Sequence, residues 1–408
     1  MRVIHPFPAR MAPDIATGIA RQLPSGSMLL DPMCGSGTVL RAAVEAGLNA
    51  VGRDIDPLAV LMAKVWTAPL STERVIHDSE VVIERSSKVL TGRRVSDSLP
   101  WIDDETEDFI RFWFAPNQIE QLTRISWTLW KSRSSSRDAL RLALSRIIVT
   151  KDKGASLARD VSHSRPHKVA DASDFDVVAN FRRSVREVCR RMSTESLHGS
   201  ADVKRGDSRD LPDIASASVD CIITSPPYLN ALDYLRGHRL SLVWLGLAVS
   251  EARDIRAASI GTERGLADLT VDDACYLSTE DGTELPSRIR GFIRRYLRDS
   301  VSVSEEMNRV LRPGGRVVLV VGNSNLKGVR VDNAKMYIDS LNALGFEQLR
   351  TTTRDIPASS RYLPPPTGGG GINARMRTEV VIEATKQRTS AATDGAAISQ
   401  SLATAMPV

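Results

Sequence analysis

The sequence has little of what marks several protein classes. Its cysteines are four in 408 residues, Cys34, Cys189, Cys221 and Cys275, and none form a C-x-x-C pair. That usage speaks against a disulfide framework or a zinc site and suits the reducing cytoplasm. No apolar run approaches the ~20 residues a membrane helix requires. The opening Met1-Arg2-Val3-Ile4-His5-Pro6 does not read as a signal peptide. His163 and His167 have a spacing that could bind metal on a helix, but Pro166 between them argues against that helix. No metal is expected. The P-loop lysine is absent, which argues against an NTPase. No internal repeat is visible.

What is present begins with Val219-Asp220-Cys221-Ile222-Ile223, a strand-like run that ends in Thr224-Ser225-Pro226-Pro227-Tyr228. Two consecutive prolines cannot donate backbone hydrogen bonds and hold φ near −65°. The loop is therefore stiff and offers carbonyl oxygens. Ser225 adds a hydroxyl and Tyr228 a flat ring. Such a set suits a planar base with an exocyclic amino group. Taken alone, the tetrad reads at least as well as a turn with a proline stop.

A second pattern tips that balance. Met28-Leu29-Leu30 leads into Asp31-Pro32-Met33-Cys34-Gly35-Ser36-Gly37-Thr38, and a helical run, Val39 to Val44, follows. Gly35 and Gly37 permit a tight turn and close approach to a ligand. The N–H groups that open the next helix would face that ligand. The following strand, Asn49 to Asp54, ends on an acidic residue, where a nucleotide ribose is usually held. The spacing is G-x-G rather than G-x-G-x-x-G, which weakens a dinucleotide reading.

Together these motifs resemble the S-adenosylmethionine-dependent amino-methyltransferases of DNA. Asp31 to Thr38 is similar to their cofactor motif, with Met33 at a usually aromatic position. Ser225-Pro226-Pro227-Tyr228 is similar to their catalytic motif in its cytosine-N4 form. His5 to Pro13 resembles the segment that folds over the cofactor's methionine end. The resemblance covers roughly residues 1–69, 201–245 and 305–385. It implies a Rossmann-like α/β sheet with helices on both faces, whose final strand, Thr378 to Glu383, inserts antiparallel. It implies that S-adenosylmethionine is held by Phe7, Asp31, Pro32, Cys34, Gly35, Ser36, Gly37, Thr38, Asp54, Ile55 and Asp207. Asp207 would accept from the adenine amino group. Ser225, Pro226, Pro227 and Tyr228 would form the catalytic loop.

The chain divides into 1–69 and 201–228 as core, 70–200 as a mainly helical insertion, 229–304 as a second insertion, 305–386 as the rest of the core, and 387–408 as a disordered tail. The aromatics Phe109, Phe112 and Trp113, with Ile119 to Leu129, read as core rather than as a base-stacking platform. Leu157 to Lys168 reads as a basic loop. Ala258 to Glu284 and Arg361 to Gly371 also read as loops. Arg165, Arg182, Arg183 and Arg186, with Arg236, His238 and Arg239 beside the catalytic loop, are candidate DNA contacts. The helix face carrying Arg182 to Arg186 reads equally well as solvated, and His238 reads better as a structural hydrogen bond.

The formal net charge of +5 and a pI near 9.1 suit a polyanionic partner. Double-stranded DNA is the expected partner, and a cognate restriction enzyme a further candidate. The expected activity is methyl transfer to cytosine N4 of a flipped base, because Ser225 opens the tetrad. Adenine N6, an RNA base, and an inactive nucleic-acid binder are the alternatives. A 5-methylcytosine enzyme would need a Pro-Cys nucleophile where this chain has Pro227-Tyr228.

Overall fold

The computed structural model describes residues 4–7, 11–159, 166–192, 197–229, 234–261, 273–278, 286–326, 329–356 and 378–388. The N-terminal third alternates α1 (Pro13–Ala20), β1 (Met28–Asp31), α2 (Thr38–Glu45), β2 (Asn49–Asp54) and α3 (Pro57–Thr67). Local chemistry sets these boundaries. Asp56 caps α3 by accepting from the Leu58 N–H at 2.9 Å, and Pro57 takes the first helical position, where no N–H is needed.

Five helices follow: α4 (Thr72–Ser87), α5 (Asp104–Trp113), α6 (Pro116–Lys131), α7 (Arg137–Arg146) and α8 (Val177–Met192). A short hairpin, β3 (Ala158–Arg159) with β4 (His167–Lys168), stands before α8, so the expected loop over 157–168 is partly paired. Arg165 lies outside the described residues. In α8, Phe181, Val185, Val188 and Met192 recur at helical spacing and are buried. Of the aromatics expected in the core, Phe109 and Trp113 pack against it, whereas Phe112 is 54% exposed. The Lys168 ammonium covers the Phe112 ring instead, 5.0 Å from its centroid.

The sheet resumes with β5 (Ser200–Arg205) and β6 (Val219–Thr224). Then come α9 (Tyr234–Leu242), α10 (Val249–Ala258), β7 (Leu277–Ser278) and α11 (Ser287–Val310). The chain ends with β8 (Leu311–Val321), β9 (Ser324–Leu326), β10 (Val329–Val331), α12 (Asn333–Ala343), β11 (Phe346–Asp355) and β12 (Thr378–Lys386). Arg361 to Gly371, most of the 387–408 tail and much of 258–284 lie outside the described residues.

Seven strands form the main sheet in the order β11-β12-β8-β6-β1-β2-β5. Strands β5, β2, β1, β6 and β8 pair in parallel, and β12 enters antiparallel between β8 and β11. This is the expected Rossmann-like α/β sheet with its antiparallel insertion. Val317 to Val321 of β8 are completely buried, as a central strand covered on both faces should be. Arg312 to Gly315, which reads as a turn, is an irregularity within β8: Val219 pairs Leu311, while Cys221 already pairs Arg316. Gly314 has φ +78° there.

The domain division differs from the sequence reading in two respects. The 304/305 division falls inside α11, one helix of 24 residues whose Ile293, Tyr296, Val303 and Met307 are buried in the same core as β8. The two insertions are also not separate bodies. Trp101 donates to the Val243 carbonyl at 2.9 Å, and the Phe114 and Trp244 rings meet edge to face at 5.1 Å. Helices α4 to α10 share one apolar core with α3.

Candidate active site

The strand order turns outward at β1, which has β2 on one side and β6 on the other. In open parallel sheets the crevice beyond the carboxyl ends at such a point is where ligands bind. The two motifs, joined by a contact across 193 residues of sequence, meet there. Thr224, the last residue of β6, donates its hydroxyl proton to Asp31, the last residue of β1, at 2.7 Å.

The turn after β1 is held by its own backbone. Asp31 accepts from the Met33 N–H at 3.2 Å, Asp54 accepts from the Gly35 N–H at 2.8 Å, and Cys34 donates its N–H to the Arg53 carbonyl at 2.9 Å. Burial pushes the Asp31 carboxyl up to about 7. It pushes Asp54 up to about 6, aided by the neighbouring Asp56. The Cys34 thiol is buried and pushed well upward, consistent with packing rather than nucleophilic chemistry.

The two glycines differ. A Cβ on Gly35 would lie 3.2 Å from the Phe7 ring, so that ring covers the turn. A Cβ on Gly37 would lie 2.8 Å from the Cα of Ala63, and Gly37 has φ +88°. The sequence reading assigns Gly37 to ligand approach. Its immediate reason is the close packing of α2 on α3.

The loop after β6 is held differently. Prolines cannot donate, so its oxygens are pinned from outside. Ser225 donates its hydroxyl proton to the Val320 carbonyl at 2.9 Å. Buried Tyr296 of α11 donates to the Pro227 carbonyl at 3.0 Å, and Ser324 donates to the Leu229 carbonyl at 2.7 Å. Because the Ser225 proton is committed, the hydroxyl keeps acceptor capacity for a ligand. The half-buried Tyr228 faces Glu379 of β12, and burial together with that carboxylate raises its phenol above the ordinary value. Glu379 is itself raised by burial, against the opposing pull of Arg354, whose Nε lies 3.3 Å from its carboxylate. Thr224, Tyr296, Ser324 and Glu379 were not singled out from the sequence. Thr224 adjoins the motif, whereas the neighbours of Tyr296, Ser324 and Glu379 carry no local signal of a site.

The remaining expected residues fall in different places. Pro32, Ser36 and Thr38 are buried in the turn, and Ile55 is half-buried beside the helical core. Asp207 lies just past β5, but its carboxylate is engaged by Arg209 at 2.6 and 2.9 Å. His238 is buried, and its Nδ1 meets the Asp56 carboxylate at 2.5 Å. It is thus a structural hydrogen bond and not a surface DNA contact. Arg239 lies over the Phe109 ring, 5.1 Å from its centroid, and Arg236 is exposed on α9. Arg182 is clasped by Glu80, its Nε 3.0 Å from both carboxylate oxygens. Arg183 reaches the Asn180 side chain at 3.4 Å, and Arg186 is exposed. Among the described residues no group of three or more His, Cys, Asp or Glu side chains could hold a metal ion. No helix of the described residues is long and apolar enough to cross a membrane.

The turn fits an adenosyl-bearing cofactor. The Oγ of Ser36 and Oγ1 of Thr38 are buried with no partner among the described residues, and the Asp54 carboxylate is only half-buried at the strand end. A model of the family "UPF0020: RMKL-like, methyltransferase domain" matches residues 3–66, which include this turn. The chain is 24% identical to the Type II methyltransferase M.BsoBI of Geobacillus stearothermophilus, over 58% of this chain and 51% of that one. It is 23% identical to the Type II methyltransferase M.AvaI of Nostoc sp., over 86% and 77% of the two chains. It is 22% identical to the Type II methyltransferase M.MvaI of Kocuria varians, over 93% and 89%. The match to a methyltransferase family model is thus confined to residues 3–66, and these relatives are Type II methyltransferases. The methyltransferase match and the Type II relatives make S-adenosylmethionine the cofactor to test at this turn. The chain spans about half the length of the first of these relatives.

Proposed function

We propose that this methyltransferase modifies the exocyclic amino group of a base in double-stranded DNA, with cytosine N4 as the target. The observation that carries the reading is the polarity of the loop after β6. Its prolines donate nothing, the Ser225 proton is committed to Val320, and the Pro226 carbonyl lies between Ser225 and the carbonyl pinned at Pro227, with a second pinned carbonyl at Leu229. A site of acceptors suits an NH₂ group, which brings donors. The resemblance of Ser225-Pro226-Pro227-Tyr228 to the cytosine-N4 motif supports the choice of base, and the Type II relatives support DNA as the substrate.

Phe7, Asp31, Gly35, Ser36, Thr38 and Asp54 would hold the cofactor. When bound, S-adenosylmethionine supplies a methyl group on a positively charged sulfur. The protein's part is positional. Ser225 and the Pro226 carbonyl hold the two amino protons, which favours a more tetrahedral nitrogen with its lone pair freed from the ring. Tyr228 stacks on the base. A base must leave the duplex to reach this loop, at a cost of a few kcal/mol. Stacking on Tyr228 offsets that by roughly 1–3 kcal/mol.

The test is to incubate the protein with duplex DNA and S-adenosylmethionine, digest the DNA to nucleosides and identify the product by mass and chromatography. N4-methylcytosine is expected. N6-methyladenine would overturn the choice of base, and unmodified DNA beside methylated RNA would overturn the choice of substrate.

A further inference from the structure

Helices α4 and α6 border a surface cleft of about 620 Å³. Its walls carry Arg74, Arg85, Lys131 and Arg133 against a single carboxylate, Asp78. That carboxylate is already satisfied, with Arg74 Nε at 3.1 Å and the Ser134 hydroxyl at 2.5 Å. Arg85, Lys131 and Arg133 are exposed, and none of them forms an ion pair with a described residue. The cleft is therefore a concentration of uncompensated positive charge.

An aromatic wall stands beside it. Trp127 lines the cleft, and its ring lies 5.1 Å from that of Trp130, which is 39% exposed. The Lys131 ammonium sits 4.7 and 4.3 Å from the two ring centroids. These contacts orient the lysine without neutralising it. Helix α8 makes the contrast. Its arginines are more numerous in sequence, but Glu80 clasps Arg182 and Glu187 takes both Arg190 and Arg191. Carboxylates thus take three of the five α8 arginines, whereas none among the described residues takes Arg85, Lys131 or Arg133 of the cleft.

We propose that the α4–α6 cleft binds the phosphodiester backbone of DNA and positions the duplex on the helical body. The proposal rests on the reading of DNA as substrate. Phosphate contacts fix register without reading sequence. The cleft therefore sets affinity and salt dependence rather than the choice of target site.

The test uses the full chain and fluorescence anisotropy with a labelled duplex across a salt series. The double variant Arg85→Glu/Arg133→Glu is compared with wild type and with Arg182→Ala. Loss of two phosphate contacts should reduce the slope of log affinity against log salt by roughly 1.8. Affinity at low salt should fall at least about tenfold, since each contact also releases counterions. Arg182→Ala should stay near wild type, and calorimetry should show unchanged cofactor affinity in all three proteins. A double variant with wild-type slope and affinity would overturn the cleft while leaving the substrate reading intact. Inorganic phosphate competing as well as duplex DNA would also overturn it, because the cleft would then be a small-anion site. Wild-type protein that transfers methyl groups only to RNA would overturn the substrate reading, and with it the cleft's partner.

Discussion

The turn after β1 and the loop after β6 are neighbours in space and opposites in chemistry. The first is built on glycine and organised by N–H donors, with the carboxylates of Asp31 and Asp54 folded back on its own backbone. The second is built on proline and organised by acceptors, which donors on Tyr296 and Ser324 hold from outside. One side suits a ligand that needs hydroxyl and carboxylate partners. The other suits a ligand that arrives with an amino group. A two-substrate site needs such a division, because two identical loops would compete for the same chemistry.

Replacing the ring of the second loop should break this division most strongly. Tyr228→Ala is expected to lower methyl transfer roughly 100-fold, since stacking is worth about 1–3 kcal/mol per base and alignment is lost with it. Cofactor affinity by calorimetry should be unchanged. Full activity in this variant would remove the loop from the site.

A methyl group in the first loop should act on stability rather than chemistry. Gly37→Ala places a Cβ 2.8 Å from the Ala63 Cα at φ +88°. The cost is roughly 2–4 kcal/mol from overpacking and left-handed strain. Denaturant titration would measure it, and a loss of cofactor affinity at full stability would return Gly37 to a ligand-contact role.

Protonation sharpens the comparison further. The folded Asp31 carboxyl lies at about 7 because of burial, above the ~3.9 of an unfolded aspartate. The folded state therefore binds more protons between those values, and stability falls as pH rises through that window. Asp31→Asn cannot ionise but keeps an oxygen for the Thr224 proton. It should be more stable than wild type at pH 8 by up to about 4 kcal/mol, with the gap closing near pH 4. Melting curves of the cofactor-free proteins across pH would show a constant gap if burial did not matter.

Tyr296→Phe is the finest test. It deletes one hydroxyl and leaves the ring buried, so the Pro227 carbonyl loses its donor. A net hydrogen bond is worth about 0.5–1.5 kcal/mol, so transfer should fall roughly 3- to 10-fold with cofactor affinity unchanged. An equal loss in both measurements would mean that the hydroxyl serves the fold and not the loop.

Motifs that act through their own backbone could be read in advance. The Asp31-to-Thr38 turn, the strand ending on Asp54 and the Pro226-Pro227 stop all depend on local φ preferences and missing donors. The alternation of strands and helices was legible for the same reason, and even the antiparallel entry of β12 followed from resemblance. The arginines of α8 could be read two ways, as a solvated face or as a DNA contact, because a charge has no meaning without its partner. Glu80 lies 102 residues from Arg182, and nothing in composition links them. His238 looked placed for the pocket mouth, but Asp56, 182 residues away, takes it inward.

The sequence by itself determined the parallel α/β core, the two loop motifs and the family resemblance, because each resides in short stretches whose conformation follows from residue type. Only the tertiary structure decided which distant side chains complete those loops. Thr224 reaches Asp31, Tyr296 reaches Pro227, and two insertions separated by β5 and β6 close into one helical body. Hydrogen bonds and burial between residues far apart in the chain are properties of packing, and packing is settled by the strand order β11-β12-β8-β6-β1-β2-β5 rather than by any local run of residues.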